Sequence, residues 1–372
     1  MCTGAHSDYI DRMGYRLTFV GRIMGNGETV GYQVKIRGTD KVVEVGDDET
    51  ILEAALSAGI DYPFGCQSGN YGACKSRLLA GEVEMSDYSE YALTDDERAQ
   101  GQILACSSVP VADCDVAWLD LEETVQHPMQ ALDCTVVGVE RATHDIVILR
   151  LQAPNGGTLA FSAGQYGSLR FDGQPPRDFS MANEPNGGGG VLEFHICAIA
   201  DGQVSQFAQN SVQAGDGVAL SGPMGVAFLR ELHTGPIVAV AGGSGLAPIK
   251  SIVETALAKG MGQPVTLYFG ARAERDLYLL AHFEALAAKH ANFSFVPVLS
   301  EEDGATGRRT GMLADAMAED LTSMDGCKIY AAGPPPMVDA VRALADRLGG
   351  RAEDLHADPF YTVHELAAQE KQ

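Results

Sequence analysis

The sequence predicts a multidomain protein of α+β and α/β class: a small mixed unit, then an antiparallel barrel, then a parallel sheet flanked by helices. Three observations predict this fold class. The chain has 372 residues, more than one hydrophobic core usually spans. A central stretch is rich in strand-like runs and poor in helical patterns. The last third alternates strand and helix, which indicates a parallel sheet with helices on both faces.

The first segment, 32–125, is predicted to be a small mixed α+β unit, preceded by an extension over 1–31. "YQVKIRGTDKVVEV" alternates in the manner of strands, and "DDETILEAALSAG" reads as a capped helix ending at Gly59. A loop rich in glycine and cysteine follows, and then "KSRLLAGEVEM" and "GQILACSSVP".

The second segment, 131–230, is predicted to be an antiparallel barrel. "CTVVGVERATHDIVILRLQAP", "LAFSAGQYGSLRF" and "VLEFHICAIA" are strand-like and are joined by turns of glycine, proline and asparagine.

The third segment, 235–364, is predicted to be a parallel sheet, followed by a tail over 365–372. "PIVAVAGG", "PVTLYFGA", "FSFVPVL" and "KIYAAG" read as strands, and helical stretches such as "APIKSIVETALAKG" lie between them. Ligands of such sheets bind at the carboxyl ends of the strands.

The composition is that of an ordinary globular protein and does not predict a membrane-spanning segment. Hydrophobic residues are 45% and charged residues 20%, with no apolar run long enough to cross a membrane. The start of the chain lacks the apolar core of a secretory signal. Eight cysteines in so long a chain, three of them between Cys66 and Cys106, favour a cytoplasmic protein with metal-bound or free thiols.

The net charge of −24 argues against nucleic-acid binding. The charge is uneven, with 19 acidic and 6 basic residues between Gln33 and Glu123. This excess is either a solubilising surface or a docking face for a basic partner.

Two glycine-rich turns are predicted at the carboxyl edge of the parallel sheet. "AGGSGLAP" (241–248) lies where a strand ends and a helix begins, and "AAGPPPM" follows a later strand. Glycines let a ligand approach the backbone, and helix N–H groups favour a phosphate. One such turn could be a tight strand–helix connection, but two on one edge favour a nucleotide site.

Two further motifs lie in the predicted barrel. "RDFSMA" (177–182) combines a cation that can pair with a phosphate, a ring that can stack on a planar group and a hydroxyl that can bond a ring nitrogen. "DGQVSQF" (201–207) predicts a helix N-terminus, which is another seat for an anion.

Taken in order, these motifs make residues 32–361 resemble the ferredoxin–flavin reductase family, and within it the reductase components of Rieske ring-hydroxylating dioxygenases and multicomponent monooxygenases. The resemblance implies a β-grasp plant-type ferredoxin domain, an antiparallel β-barrel FAD domain and a Rossmann-like parallel-sheet NAD domain. It implies FAD, NADH and a 2Fe-2S cluster as cofactors. An oxygenase component or a separate ferredoxin would be the electron acceptor, with no nucleic-acid or membrane partner.

The resemblance also implies the site residues. Ser180 would lie near the reactive nitrogen of the flavin and Phe360 over its ring system, as the two catalytic residues. The other cofactor-binding residues implied are Arg177, Phe179, Met181, Gly202, Val204, Ser205, Gly242, Gly243, Ser244, Gly245, Leu246, Ala247, Pro248, Gly333, Pro334 and Pro335. Arg272 is added from the stretch just after the second predicted strand of the parallel sheet, where it would face the nucleotide.

The cysteine loop departs from the family pattern at one position. Plant-type ferredoxins use C-x₄-C-x₂-C and a distant fourth cysteine. Cys66, Cys74 and Cys106 match the first, third and fourth ligands, but Tyr71 stands at the second. Three outcomes remain open: the cluster is absent or unstable, it assembles with an oxygen ligand, or Cys114 substitutes.

The function expected is that of an NADH-dependent flavoprotein reductase passing electrons through FAD, and through the cluster if it assembles, to an oxygenase or ferredoxin. The alternative is an NADH:acceptor diaphorase whose ferredoxin-type domain serves only docking or regulation.

Overall fold

The computed structural model describes residues 8–10, 16–18, 31–37, 39, 41–60, 62–64, 67, 69, 72–89, 92–118, 127–185, 188–302 and 307–361. The described residues before 121 form one compact unit, and those after 127 form a second. Cys66, Tyr71, most of the predicted extension 1–31 and the predicted tail 365–372 lie outside the described residues.

The first unit contains a small mixed sheet with a helix packed on it. Its strands are β1 (Asp8–Ile10), β2 (Arg16–Thr18), β3 (Gly31–Arg37), β4 (Val42–Gly46), β5 (Lys75–Ala80), β6 (Val83–Met85), β7 (Gln102–Leu104), β8 (Ser108–Pro110) and β9 (Cys114–Trp118). Its helices are α1 (Ile51–Ser57) and α2 (Asp95–Ala99). The main sheet has the order β4-β3-β9-β5-β7, with β3 and β9 parallel. Helix α1 begins where the sequence predicts because Thr50 and Glu53 form a reciprocal capping box. This mixed sheet with its packed helix is the small α+β unit that the first segment predicts, and it fits the β-grasp domain that the resemblance implies.

The first half of the second unit is an antiparallel six-stranded sheet. Its strands are β10 (Gln130–Arg141), β11 (Ile146–Gln152), β12 (Tyr166–Phe171), β13 (Arg177–Ser180), β14 (Val191–Cys197) and β15 (Gly217–Met224), in the order β13-β12-β15-β10-β11-β14. Helix α3 (Gln203–Asn210) follows β14. The strand predicted from Leu159 begins only at Tyr166. Gly164 has a φ of 106°, which interrupts extended pairing, and the side chain of Gln165 bonds the loop backbone at Ser162 and Gly225.

The second half of this unit is an entirely parallel sheet. Its strands are β16 (Ile237–Gly242), β17 (Val265–Ala271), β18 (Phe293–Leu299), β19 (Arg309–Thr310), β20 (Lys328–Gly333) and β21 (Leu355–Pro359), in the order β19-β18-β17-β16-β20-β21. Its helices are α4 (Leu246–Ala258), α5 (Leu280–Lys289), α6 (Leu313–Asp320) and α7 (Pro335–Arg347). Apolar clusters on both faces of the sheet bury β16 and β17, as their continuous apolar runs predict. No helix among the described residues is long and apolar enough to span a membrane.

Candidate active site

The two glycine turns meet at the carboxyl edge of the parallel sheet. Strands β16 and β20 are neighbours, and each ends in one of the turns. A Cβ at Gly245 would lie 2.1 Å from the carbonyl oxygen of Ala332, and a Cβ at Gly333 would lie 2.8 Å from that of Gly242. Glycine is therefore required at both positions for the two backbones to touch. The strand order reverses between β16 and β20, which is where parallel sheets of this kind bind ligands.

The first turn presents open backbone at the start of α4. Gly243 has a φ of 56°, and a Cβ there would meet nothing within 4 Å. Leu246, Ala247 and Pro248 are buried beneath it. No side chain among the described residues caps α4. Pro248 has no N–H and the N–H of Leu246 is bonded to the carbonyl of Gly243, so an anionic ligand would be received by the backbone of the glycine turn itself.

The barrel motif supplies an exposed cation beside a buried hydroxyl. On β13, Arg177 is exposed, Phe179 is half-buried and Ser180 is buried, and Met181 follows in the core. The Nη1 of Arg177 donates to the carbonyl of Pro176 at 2.8 Å. An exposed guanidinium and an accessible ring suit a phosphate and a planar ring system.

Ser180 meets the parallel sheet through Asp358. The Ser180 hydroxyl donates to Asp358 Oδ2 at 3.3 Å. The Asp358 residue is half-buried. Desolvation raises the pKa of Asp358 to about 7; the Ser180 hydrogen bond opposes this and the charge of Asp178 adds to it.

Phe360 follows Asp358 by two residues. Its backbone N–H donates to the carbonyl of Gly333 at 2.8 Å, so the predicted C-terminal aromatic residue is tied to the second glycine turn. Pro334 and Pro335 continue that turn into α7. Sequence reasoning selected Ser180 and Phe360 but missed Asp358. The run "LHADP" just before Phe360 indicates a strand there, but no local pattern marks Asp358 as the partner of Ser180.

The second barrel motif, residues 201–207, forms hydrogen bonds within its own turn. Ser205 Oγ donates to the carbonyl of Gly202 at 3.1 Å and accepts from the N–H of Ile199 at 3.1 Å. A Cβ at Gly202 would lie 2.4 Å from that hydroxyl oxygen, and Val204 is buried. The hydroxyl shapes the turn, so any anion bound there must rely chiefly on backbone N–H groups.

Arg272 is engaged by two carboxylates. It follows β17, and its guanidinium lies 3.0 Å from Asp145 Oδ2 and 3.2 Å from Asp276 Oδ2. Asp145 belongs to the turn between β10 and β11, so the pair joins the barrel to the parallel sheet. A guanidinium already balanced by two carboxylates is a weak receptor for a further phosphate.

In the first unit, two of the predicted ligand cysteines are neighbours. Cys74 and Cys106 are buried, and the N–H of Cys106 donates to Cys74 Sγ at 3.4 Å. Hydrogen bonding, first of all with Cys74, lowers the pKa of Cys106 to about 6 despite burial. Thiols that ionise this readily fit an iron–sulfur cluster. Cys114 Sγ bonds instead to the carbonyls of Ala112 and Glu82.

The glycine frame of the cysteine loop is also in place. Gly69 and Gly72 have φ values of 72° and 69°, and a Cβ at Gly72 would lie 2.7 Å from the carbonyl oxygen of Ala92. The loop keeps the backbone shape that the plant-type pattern requires at both described glycines.

Comparison with known proteins gives three matching family models. The 2Fe-2S iron-sulfur cluster binding domain matches residues 34–111, the oxidoreductase FAD-binding domain 133–228 and the oxidoreductase NAD-binding domain 239–343.

Two relatives show the extent of the similarity. The ferredoxin–NAD(P)⁺ reductase component of the naphthalene 1,2-dioxygenase system of Pseudomonas putida is 35% identical over 331 residues, covering 88% of this chain and 98% of the relative. The reductase component of propane 2-monooxygenase from Mycolicibacterium goodii is 35% identical, with coverage of 88% and 97%.

Among solved structures, a cytochrome P450 reductase from Amycolatopsis superposes with a TM-score of 0.73 at 36% identity, over 88% of this chain and 98% of that one. The ferredoxin reductase of a carbazole 1,9a-dioxygenase superposes with a TM-score of 0.66 at 27% identity, with coverage of 90% and 99%. The chain therefore belongs to the ferredoxin reductase family whose members combine a 2Fe-2S cluster domain, an FAD-binding barrel and an NAD-binding sheet.

Proposed function

We infer that this protein is the NADH-dependent reductase component of an oxygenase system, passing electrons from NADH through FAD and a 2Fe-2S centre to an oxygenase or a separate ferredoxin. The contact between Ser180 and Asp358 carries the proposal. It joins the flavin motif of the barrel to the strand edge where both nucleotide turns meet. That junction is where a donor bound on the sheet and an acceptor bound on the barrel can approach each other.

In this proposal each cofactor has its own set of residues. FAD would be held by Arg177, Phe179, Ser180 and Met181, by the turn of Gly202, Val204 and Ser205, and by Phe360 against its ring. NADH would lie on residues 242–248 and 333–335, with Arg272 at its far end. FAD supplies the conversion of a two-electron hydride into single electrons, and the protein binds, orients and shields the reacting groups.

The domain bounds proposed are 32–125, 131–230 and 235–364. Each of the three family matches lies inside one of these ranges, which supports them. The reducing cytoplasm is the proposed location, because Cys106, Cys114 and Cys134 are free buried thiols.

NADH is proposed as the donor in place of NADPH. The far end of the nucleotide would reach the ends of β17 and β18, where Glu274, Glu301 and Glu302 follow. Glu301 N donates to the carbonyl of Arg272 at 2.8 Å, so the two strand ends are adjacent. These carboxylates would repel a 2′-phosphate.

The partner is proposed to dock on the acidic first domain. Between residues 33 and 123 acidic side chains outnumber basic ones by 19 to 6, and a field of that sign accelerates encounter with a basic surface.

A second candidate function follows from Tyr71, which stands where the plant-type pattern has its second ligand cysteine. If three cysteines do not hold a cluster, the chain is an NADH:acceptor diaphorase whose first domain only docks or regulates. An absorbance spectrum of the purified protein, with iron and sulfide counts, separates the two. Flavin bands with sulfur-to-iron charge-transfer bands support the full relay, flavin bands alone support the diaphorase, and absence of flavin rejects both.

A further inference from the structure

Tyr278 lies between a barrel strand and the first nucleotide turn. Its ring is buried, and its hydroxyl is 2.9 Å from Nδ1 of His195, a wholly buried residue on β14. The same hydroxyl is 3.4 Å from the carbonyl oxygen of Gly243. Tyr278 is thus in contact with the flavin-binding half and with the glycine turn at once.

The protons of this network can be assigned from its charges. Burial alone would raise the pKa of Glu193. The hydrogen bond from His195 and the charges of Lys250 and Arg150 outweigh burial and hold this pKa well below its usual range. Glu193 is therefore an acceptor only, and His195 Nε2, 3.3 Å from Glu193 Oε1, carries a proton.

Burial lowers the pKa of His195, with only partial compensation from Glu193, so its other ring nitrogen, Nδ1, is an acceptor. The single proton of the Tyr278 hydroxyl must then serve two acceptors, Nδ1 of His195 and the carbonyl of Gly243.

The direction of the Gly243 carbonyl sets the orientation of the peptide bond between Gly243 and Ser244. This carbonyl also accepts from the N–H of Leu246 at the start of α4. In a trans peptide the carbonyl and the following N–H point in opposite directions. Holding this carbonyl against Tyr278 therefore points the N–H of Ser244 away from Tyr278.

We propose that Tyr278 is a positioning residue for the nicotinamide nucleotide: it holds the Gly243 peptide in its binding orientation, and His195 fixes the tyrosine hydroxyl. This inference rests on the function proposed above, in which the Gly243 turn receives NADH. Tyr278 would not touch the reacting atoms, so its contribution is to nucleotide affinity and not to the hydride step.

The test is stopped-flow reduction of the FAD-loaded protein over a range of NADH concentrations, which separates the apparent Kd from the limiting rate. Tyr278→Phe removes the hydroxyl alone. The apparent Kd should rise about 3- to 10-fold, the loss of one net hydrogen bond, with the limiting rate unchanged within about twofold.

Tyr268→Phe is the matched control. Tyr268 is equally buried and bonds Asp320 at 3.1 Å, but it packs in the cluster on the other face of the sheet. It should lose a similar amount of thermal stability and leave the Kd unchanged. An equal rise in Kd for both variants, or no rise for Tyr278→Phe, overturns the inference.

Should Tyr278→Phe fail to fold, His195→Gln replaces it. The glutamine keeps a donor for Glu193 but offers no acceptor at the Nδ1 position, so the tyrosine proton is left to the Gly243 carbonyl alone. The Kd should then stay unchanged or fall; a rise in Kd contradicts the inference. The wild-type protein keeps the two proposals apart, since lack of saturable reduction by NADH would reject the proposed function itself.

Discussion

The Ser180 hydroxyl donates a hydrogen bond to the Asp358 carboxyl, 178 positions later in the chain, across the joint between barrel and parallel sheet. While Asp358 is ionised it can only accept, so it holds the Ser180 proton. Once Asp358 is protonated it can donate to Ser180, and the serine proton becomes available to a bound cofactor. The pair therefore links the protonation of one residue to the donor capacity of the other.

This link predicts a pH dependence for flavin reduction. Because the pKa of Asp358 is raised to about 7, the protonated form dominates below pH 7 and is lost as pH rises through that value. The rate at saturating NADH should fall by about 5- to 10-fold across this range, the value of one hydrogen bond. Asp358→Asn should keep the fast rate at all pH values, because an amide always donates to Ser180. A variant that retains the wild-type profile would assign the titration to another group.

Ser180→Ala should slow flavin reduction more than it weakens NADH binding. Loss of a contact felt mainly in the transition state lowers the limiting rate and leaves KM little altered, and a loss of about tenfold is expected. Ser251→Ala is the control, since Ser251 is also buried and donates to the carbonyl of Asn183, away from Asp358. An unchanged stopped-flow rate for Ser180→Ala would reject its assigned role.

Sequence reasoning located Ser180 because a hydroxyl beside an arginine and an aromatic ring is a recognisable local pattern. It could not locate Asp358 as the partner, because the pairing depends on how β13 meets β21 and not on spacing along the chain. The same limit explains Tyr278 and His195, which lie 83 positions apart and belong to no motif.

NADH should be preferred to NADPH by about tenfold or more in kcat/KM, since a 2′-phosphate would approach Glu301 and Glu302 while Arg272 is already paired. Steady-state assays with each nucleotide decide this. Equal or better kcat/KM with NADPH would show that the acidic strand ends do not face the ribose.

Gly245→Ala should destabilise the second unit and impair nucleotide binding. The new Cβ would lie 2.1 Å from the carbonyl oxygen of Ala332, so one of the two turns must move. Overpacking of this kind lowers the melting temperature by about 5 to 10 °C. Gly262→Ala serves as the control, because its Cβ would meet nothing within 4 Å. Equal melting temperatures for the two variants would mean that the turns separate at little cost.

The order of strands and helices could be predicted from the sequence, because strand-like runs and glycine turns are recognisable from a few consecutive residues. The start of β12 was wrong by seven residues, since "LAFSAG" has strand composition but Gly164 and Gln165 fold it into a loop. The sequence placed both glycine turns at the carboxyl edge of one parallel sheet. Their contact could not be predicted, because it depends on β16 and β20 being neighbours although β17, β18 and β19 lie between them in the chain.

Tyr71→Cys should create or repair a 2Fe-2S centre. The retained frame supports this expectation: Cys74 and Cys106 are adjacent buried thiols, Gly69 and Gly72 have the required positive φ, and Cys66 precedes them in sequence. A tyrosine is a harder and bulkier donor than a thiolate, with an unperturbed pKa near 10 against about 8.5 for cysteine. The variant should therefore gain iron, sulfide and a reduced-state EPR signal together, whereas Tyr71→Ala should gain none of them.

Acceptor assays complete the test of the cysteine loop. The wild-type protein should reduce ferricyanide with NADH, since a small oxidant can take electrons from the flavin, but should reduce cytochrome c poorly, because that acceptor would draw on the cluster. Tyr71→Cys should raise cytochrome c activity and leave ferricyanide activity as it was, and the cytochrome c gain should scale with the iron content of each preparation. If the wild-type protein already holds two irons and two sulfides per chain, with cytochrome c activity unchanged by the substitution, then Tyr71 or another group is a working ligand and the cluster is intact.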